Sequence, residues 1–216
     1  VIAPEPVHWY HLFCGGDTPA AWLEPVSEHA DALHAGGFPG RCLVGLVGSR
    51  GNQAETRNWL AARWPEAEIL VAADSGFEQV TLSALHAWSQ GADPGTPVLY
   101  CHTKGAFQPT PYNQAWRRAI TGDVVTGWAE RMGELAAADA AGPHWLTHEE
   151  FPARVETPFF GGNFWWANAG YLAALPALDS DDDDRYKAEW WIGLGAPRAC
   201  NVRPGWPEYA GWVFPG

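Results

Sequence analysis

Arg41-Cys42-Leu43-Val44-Gly45-Leu46-Val47, then Asn52 to Trp64, then Glu68-Ile69-Leu70-Val71-Ala72-Ala73 follow one another with only a few residues between them. The first run is apolar and strand-sized. The second sets Thr56, Leu60 and Trp64 four residues apart, which is one face of a helix, and Pro65 stops it. The third is again a short apolar run. A strand, a helix and a strand in so little chain predict two parallel strands joined by a crossover helix.

The same rhythm extends outward. Upstream, Val7 to Phe13 reads as a strand. Gly15-Gly16-Asp17-Thr18-Pro19 supplies a turn in which Asp17 or Thr18 would cap the next helix. From Ala20 to His34, Trp22, Val26, Ala30 and Leu33 recur at steps of three and four, and Gly36-Gly37 ends that helix. Downstream, a helix over Phe77 to Ser89 precedes Val98-Leu99-Tyr100-Cys101, a strand that empties into His102-Thr103-Lys104-Gly105. This alternation predicts an α/β fold with a mostly parallel central sheet flanked by helices on both sides. Ligands of such sheets gather at the carboxyl ends of the strands, where His102 to Gly105 lies.

Beyond Gly105 the pattern changes. A Pro-containing loop (Ala106 to Pro111) leads to helices over Asn113 to Ile120 and Val124 to Ala138, with short strands near His144 and Phe159. A helix from Asn168 to Leu175 ends at Pro176. The acidic run Asp179 to Asp184 leads into a short helix around Arg185 to Ile192, and the last 20 or so residues read as an irregular tail. With no internal repeat and no linker, the 216 residues are expected to form one domain, residues 1–105 and 106–216 being its two halves.

Thirteen Lys+Arg against 25 Asp+Glu give a net charge of −12, which makes nucleic acid a disfavoured partner. Cys14, Cys42, Cys101 and Cys200 form neither a C-x-x-C pair nor a zinc pattern, and reduced thiols are expected. Neither a signal-peptide pattern nor a membrane-spanning run occurs, so a soluble cytoplasmic protein is the expectation. The histidines show no H-E-x-x-H or facial-triad spacing and suggest no metal site. Oligomeric state is open.

The candidate chemistry lies in two clusters. Lys104, at the end of an apolar strand and beside Gly105, is placed to hold a diphosphate, with Thr103 and His102 adding hydrogen bonds; an exposed turn lysine is the plain alternative. Neither a Walker motif nor a dinucleotide fingerprint is present. Phe160-Gly161-Gly162-Asn163-Phe164-Trp165-Trp166-Ala167 and Arg185-Tyr186-Lys187-Ala188-Glu189-Trp190-Trp191-Ile192 surround a few polar groups with indoles, a common way to build a sugar site. Among those indoles Glu189 would have its pKa raised into the range of a useful base, unless it is a solvated helix glutamate. Asp74 to Glu78 forms a second ligand-facing loop, or a helix cap. Asp181 to Asp184 reads as a solvated loop. Trp22, Trp59 and Trp88 read as core.

Taken together, His102-Thr103-Lys104-Gly105, Trp116-Arg117, Gly162-Asn163-Phe164-Trp165-Trp166-Ala167 and Arg185 to Ile192 resemble small glycosyltransferase-like proteins of bacteria and viruses with a reduced GT-A fold. The resemblance spans most of the chain. It implies a Rossmann-like domain that binds a nucleotide-sugar, UDP- or GDP-linked, in its first half and a glycan or glycoprotein acceptor in its second. It implies donor contacts from Asp74, Glu78, His102, Thr103, Lys104, Gly105 and Arg117. Sugar or acceptor contacts would come from Gly162, Asn163, Trp165, Trp166, Arg185, Tyr186 and Trp190, with Glu189 as base. Such enzymes usually carry an Asp-x-Asp pair for Mn²⁺ or Mg²⁺. None stands at His102 to Gly105, so Lys104 and His102 would neutralise the diphosphate directly or a metal would bind elsewhere. A non-catalytic carbohydrate-binding module and a two-carboxylate glycoside hydrolase are the competing readings, and DNA glucosylation is a further one that the acidity disfavours.

Overall fold

A computed structural model describes residues 4–16 and 18–208. Strand β1 (Val7–Phe13), helix α1 (Ala20–Ala35), strand β2 (Arg41–Val47), helix α2 (Arg50–Arg63) and strand β3 (Ala67–Ala73) form two successive strand–helix–strand units. Helix α3 (Gln79–Ser89) then leads into strand β4 (Pro97–His102). Next come α4 (Pro111–Thr121), a π-helical turn at Gly122–Thr126, α5 (Trp128–Glu134), β5 (Ala140–Pro143), β6 (Trp145–Leu146), β7 (Phe159–Phe160), β8 (Trp165–Asn168), α6 (Ala169–Ala174), α7 (Tyr186–Trp190) and β9 (Ala199–Arg203).

Strands from both halves of the chain share one seven-stranded sheet in the order β3-β2-β1-β4-β8-β5-β9, while β6 and β7 form a separate pair. Every pairing within β3-β2-β1-β4 is parallel, as is β5 with β9, and β8 alone runs against its neighbours. The chain builds outward from β1 through β2 to β3 and returns to place β4 on the other side of β1. The strand order therefore reverses between β1 and β4, and the carboxyl ends of those strands flank a topological switch point.

Helices cover both faces, so alternate residues of the central strands enter different cores. Tyr10, Leu12, Val44, Leu46, Leu99 and Cys101 pack with Trp22, Val26 and Leu33 of α1. Trp9, Leu43, Val98 and Tyr100 pack with Leu82 and Leu85 of α3. Trp22 is fully buried, and Trp59 and Trp88 are partly buried against these cores.

Four expectations change. The helix expected over Val124 to Ala138 is a π-helical turn followed by the short α5, with Gly127 between them. The expected irregular tail contains β9, which pairs with β5 from Ala140 to Pro143 and is mostly half-buried. The strand expected near His144 is two: Ala140–Pro143 in the main sheet and Trp145–Leu146 in the small pair. Helix α1 begins after Pro19 with no side-chain cap, and Asp17 lies outside the described residues. Of the C-terminal aromatics, Trp206 is half-buried against Phe151, whereas Tyr209, Trp212 and Phe214 lie outside the described residues. The four cysteines are free thiols, three of them buried. No helix among the described residues is long and apolar enough to cross a membrane.

Candidate active site

The end of β4 is pinned to the end of β1. The Thr103 hydroxyl accepts from the Phe13 amide at 2.8 Å, and the Thr103 amide donates to the His11 carbonyl at 3.0 Å. This tie fixes where the chain leaves the sheet and delivers Lys104 above the switch point. Lys104 Nζ lies 3.4 Å from the centroid of the Trp116 ring of α4, a cation–π contact. The turn needs Gly105, whose φ is +87°; a Cβ there would stand 3.3 Å from Arg117 Nη1 and from Asn113 Cβ. Burial lowers the Lys104 pKa to about 8, although the carboxylates of Glu189 and Glu78 both act to raise it.

Glu78, just ahead of α3, is a fixed carboxylate. Its Oε2 accepts from the Tyr100 hydroxyl at 2.8 Å and from Asn163 Nδ2 at 2.7 Å. Its Oε1 stands 3.6 Å from His102 Nδ1. His102 Nε2 donates to the Gly162 carbonyl at 3.0 Å, because a carbonyl can only accept. Burial first, then the Lys104 charge, lower the His102 pKa to about 3. The neutral ring therefore directs a lone pair from Nδ1 toward the Glu78 carboxylate. Two acceptors facing a common point form a receptor for a hydroxyl or ammonium donor. With its proton on Gly162, the neutral His102 offers an acceptor rather than a charge in the ligand-free site.

Asn163 holds the two clusters together. It is buried with φ +53°, a left-handed conformation that Asn tolerates better than most residues. Its amide nitrogen reaches Glu78 Oε2 and, at 3.4 Å, the Ala188 carbonyl of α7, while its Oδ1 accepts from Trp165 Nε1 at 2.8 Å. A second strut joins Gln79 Nε2 to the Asp184 carbonyl at 2.6 Å, so the acidic run leads α7 back to the start of α3. Within that run Asp182 pairs with Lys187 at 2.6 Å. These contacts set Glu189, half-buried on α7, near Lys104 and Glu78. Burial raises the Glu189 pKa above its ordinary value and the Glu78 charge adds to this, while Lys104 and Arg185 oppose it.

Several expected contacts take other roles. Trp165 and Trp166 are completely buried on opposite faces of the sheet, as adjacent residues of a two-face-covered strand must be. Trp165 stacks on Tyr100 with centroids 4.9 Å apart, and Trp166 Nε1 donates to the Val124 carbonyl. Neither offers an indole face to a sugar. Exposing one would forfeit about 1.5–3 kcal/mol of burial. The Asn163 amide is occupied by protein partners rather than waiting for a sugar hydroxyl. Arg117 is 4% exposed and bound by Glu28, with Nη1 donating to the Lys104 carbonyl at 3.0 Å. Its charge is thus matched, and it shapes the Lys104 loop instead of meeting a leaving group. Asp74 is exposed and pairs with Arg50 at 3.0 Å. Gly162, with φ +90°, lies under Trp116 and Ile120, where a Cβ would meet atoms 3.0–3.1 Å away. Tyr186 is exposed, with Trp190 stacked on it at 6.1 Å and Arg185 Cζ 5.2 Å from its ring. Those three form the accessible aromatic and cationic edge of the site. Trp116 and Tyr100 were not singled out for these roles; a two-residue register with β1 marks Tyr100 as buried, but nothing local ties it to Glu78.

A family model for a domain of unknown function, DUF8361, matches residues 9–181, about four-fifths of the chain. The chain belongs to the DUF8361 family. The matched segment starts within β1, runs through β8 and α6 and ends before α7, so it includes Glu78, His102, Lys104 and Asn163 but not Glu189. No curated protein matches this DUF8361 chain in sequence. Among solved structures, a 4-diphosphocytidyl-2C-methyl-D-erythritol synthase aligns at 13% identity over 93% of this chain and 89% of that one, with a TM-score of 0.44. A second such synthase, from Anaerococcus prevotii, aligns at 11% identity over 95% and 88%, with a TM-score of 0.48. Scores this low carry no argument about activity; the fold assignment rests on the strand order and pairing of the DUF8361 chain itself.

The Asn163 hub makes a testable claim about this DUF8361 chain. Asn163→Ala is expected to destabilise the fold by about 2 kcal/mol, because it strands the buried Trp165 Nε1 donor and places a less tolerant residue in a left-handed conformation. The urea midpoint measures this. Loss of the strut to Ala188 is also expected to raise protease sensitivity around residues 179–190 ahead of global unfolding.

Proposed function

We propose that the protein is a glycosyltransferase that moves a sugar from a UDP- or GDP-linked donor to a hydroxyl of a saccharide or protein acceptor. The observation that carries this reading is the grouping of one ammonium, Lys104, with two carboxylates, Glu78 and Glu189, at the switch point of a mostly parallel sheet. Glycosyl transfer needs opposite charges at separate points, an anion to take the acceptor proton and a cation to meet the leaving diphosphate. In this reading Glu189 removes the acceptor proton as that oxygen attacks C1. The bond from C1 to the diphosphate oxygen breaks, and Lys104 offsets the charge that departs with the nucleotide. The paired acceptors of His102 and Glu78 orient a sugar hydroxyl.

The side chains present do not suit Mn²⁺ or Mg²⁺ on the diphosphate. One Glu78 oxygen is already held by Tyr100 and Asn163, and a lysine ammonium acts on both carboxylates. Hard divalent ions ask for several free oxygen ligands. Direct neutralisation by Lys104 fits better, and no step here runs through a metal. The burial of Trp165, Trp166 and Trp191 weakens the competing reading of a carbohydrate-binding module, which would need those indoles at the surface.

Calorimetric titration with UDP, GDP and their sugar conjugates, with Mn²⁺ and with chelator, tests the proposal. One nucleotide-sugar is expected to bind equally with chelator present. Absence of binding to every donor would remove the reading, and glycan cleavage without any nucleotide would replace it with a hydrolase. Donor affinity is expected to hold below pH of about 8 and then to fall, approaching tenfold per pH unit, as Lys104 loses its proton. The same titration in buffers on either side of that value measures it.

A further inference from the structure

Three potential metal ligands from three different elements meet in the core behind the switch point. They are His8 of β1, His29 of α1 and Cys101 of β4, all buried, with their ligand atoms within 4.8 Å of one another. His8 Nε2 and His29 Nε2 are 2.9 Å apart, so one donates to the other. His8 Nδ1 is buried and, among the described residues, no hydrogen bond reaches it.

We propose that His8, His29 and Cys101 bind one borderline first-row transition-metal ion, Zn²⁺ being the species the ligand set fits. Two imidazoles and one thiolate form a nitrogen and sulfur set that selects zinc over Mg²⁺ or Ca²⁺. A tetrahedral ion holds two nitrogens roughly 3.3 Å apart, so the two Nε2 atoms need only spread by a few tenths of an ångström. Water takes the fourth position. Burial keeps both rings neutral, which is the ligating form. Binding releases the Cys101 thiol proton to solvent. It also moves the proton shared between the two Nε2 atoms onto a ring Nδ1, which leaves both Nε2 lone pairs on the metal. The two central strands and α1 are thereby cross-linked.

A cavity of about 280 Å³ is lined by Leu33, Phe38, Cys42 and Trp64, with His34 and Glu66 at its edge. The His8 ring packs against two of these residues, Phe38 at 6.2 Å and Trp64 at 6.0 Å between centroids. Cys42 stands beside His8 in the β1–β2 register. Ligands 21 and 72 residues apart from His29 form no sequence motif, which is why the histidine spacing suggested none.

The test uses the untagged, chelator-stripped, reduced full chain titrated with Co²⁺. One equivalent is expected to produce a near-ultraviolet sulfur-to-cobalt charge-transfer band, and Zn²⁺ is expected to displace it. Cys101→Ser loses the band and the stoichiometric break; Cys42→Ser keeps both. X-ray absorption of the zinc-loaded unmutated chain, which needs no variant to fold, is expected to show one sulfur at about 2.3 Å and nitrogens at about 2.0 Å. Absence of binding at one equivalent, a band that survives Cys101→Ser, or a shell without sulfur would each overturn the proposal.

Discussion

Glu189→Gln is expected to lower turnover of sugar transfer by about 10²–10⁴-fold while leaving donor affinity at neutral pH within a few-fold of the unmutated protein. Gln keeps the volume and the hydrogen-bonding reach but cannot take a proton from the acceptor. The two effects separate in steady-state kinetics, where turnover collapses and KM for the donor barely moves. A second readout guards against a merely structural explanation. The Glu189 charge raises the Lys104 pKa, so removing it shifts the alkaline loss of donor binding to a pH below about 8. Full transfer activity in the variant would sink the assignment of Glu189 as base. Glu78→Gln behaves differently, because Glu78 accepts from Tyr100 and Asn163 and its loss is felt in stability as well as in rate.

Acid is expected to unfold the metal-free protein at an unusually mild pH. Burial holds His11 near a pKa of about 4 and His29 and His102 near about 3, and it holds His8 well below its ordinary value. In the unfolded chain each returns to about 6.5. Because the folded values are the lower ones, the unfolded chain binds more protons throughout the window from about 6.5 down to about 4. Stability is therefore complete above that window and lost as pH falls through it. Each histidine contributes about 1.4 kcal/mol per pH unit, so four together remove roughly 5 kcal/mol per unit, comparable with the whole stability of a domain within two units. Urea melts between pH of about 7.5 and 4.5, with chelator present, measure the loss. A midpoint unchanged across that range would mean that these histidines are not buried in the neutral form. Saturating Zn²⁺ is expected to move the collapse to lower pH, since a ligated imidazole resists protonation.

The first half of the fold was legible because local signals agreed with one another. The strands Val7–Phe13 and Arg41–Val47 begin and end where the apolar runs meet Gly and Pro, and α1 buries the four residues its periodicity selected. The second half was less so. Ala140–Pro143 contains no β-branched or aromatic residue, and Ala199–Arg203 carries Asn201 and Arg203 at a sheet edge; pairing rather than composition makes each a strand. The site divides in the same way. Lys104, Glu78 and Glu189 stood out through charge beside turns and indoles, and the structure brings them together. Trp165 and Trp166 were misread as a sugar wall because aromatic density looks the same at a surface and in a core covered on both faces. The inward work of Asn163 and the matched charge of Arg117 depend on partners 85 and 89 residues away, Glu78 and Glu28.

The single reversed strand, β8, has a consequence for how the molecule is made. It bridges β4 and β5, and β5 in turn holds β9. Until residues 165–168 have been synthesised, nothing can join the N-terminal four-stranded unit to β5, so the emerging polypeptide carries an open flank on β4. Closure is a late, long-range event of the kind that sets slow folding. Lys104 and Glu78 come from one side of that seam, and Asn163 and Glu189 from the other. No intermediate that lacks the closing step can assemble the four, so this side-chain cluster forms only once β8 has closed the flank of β4.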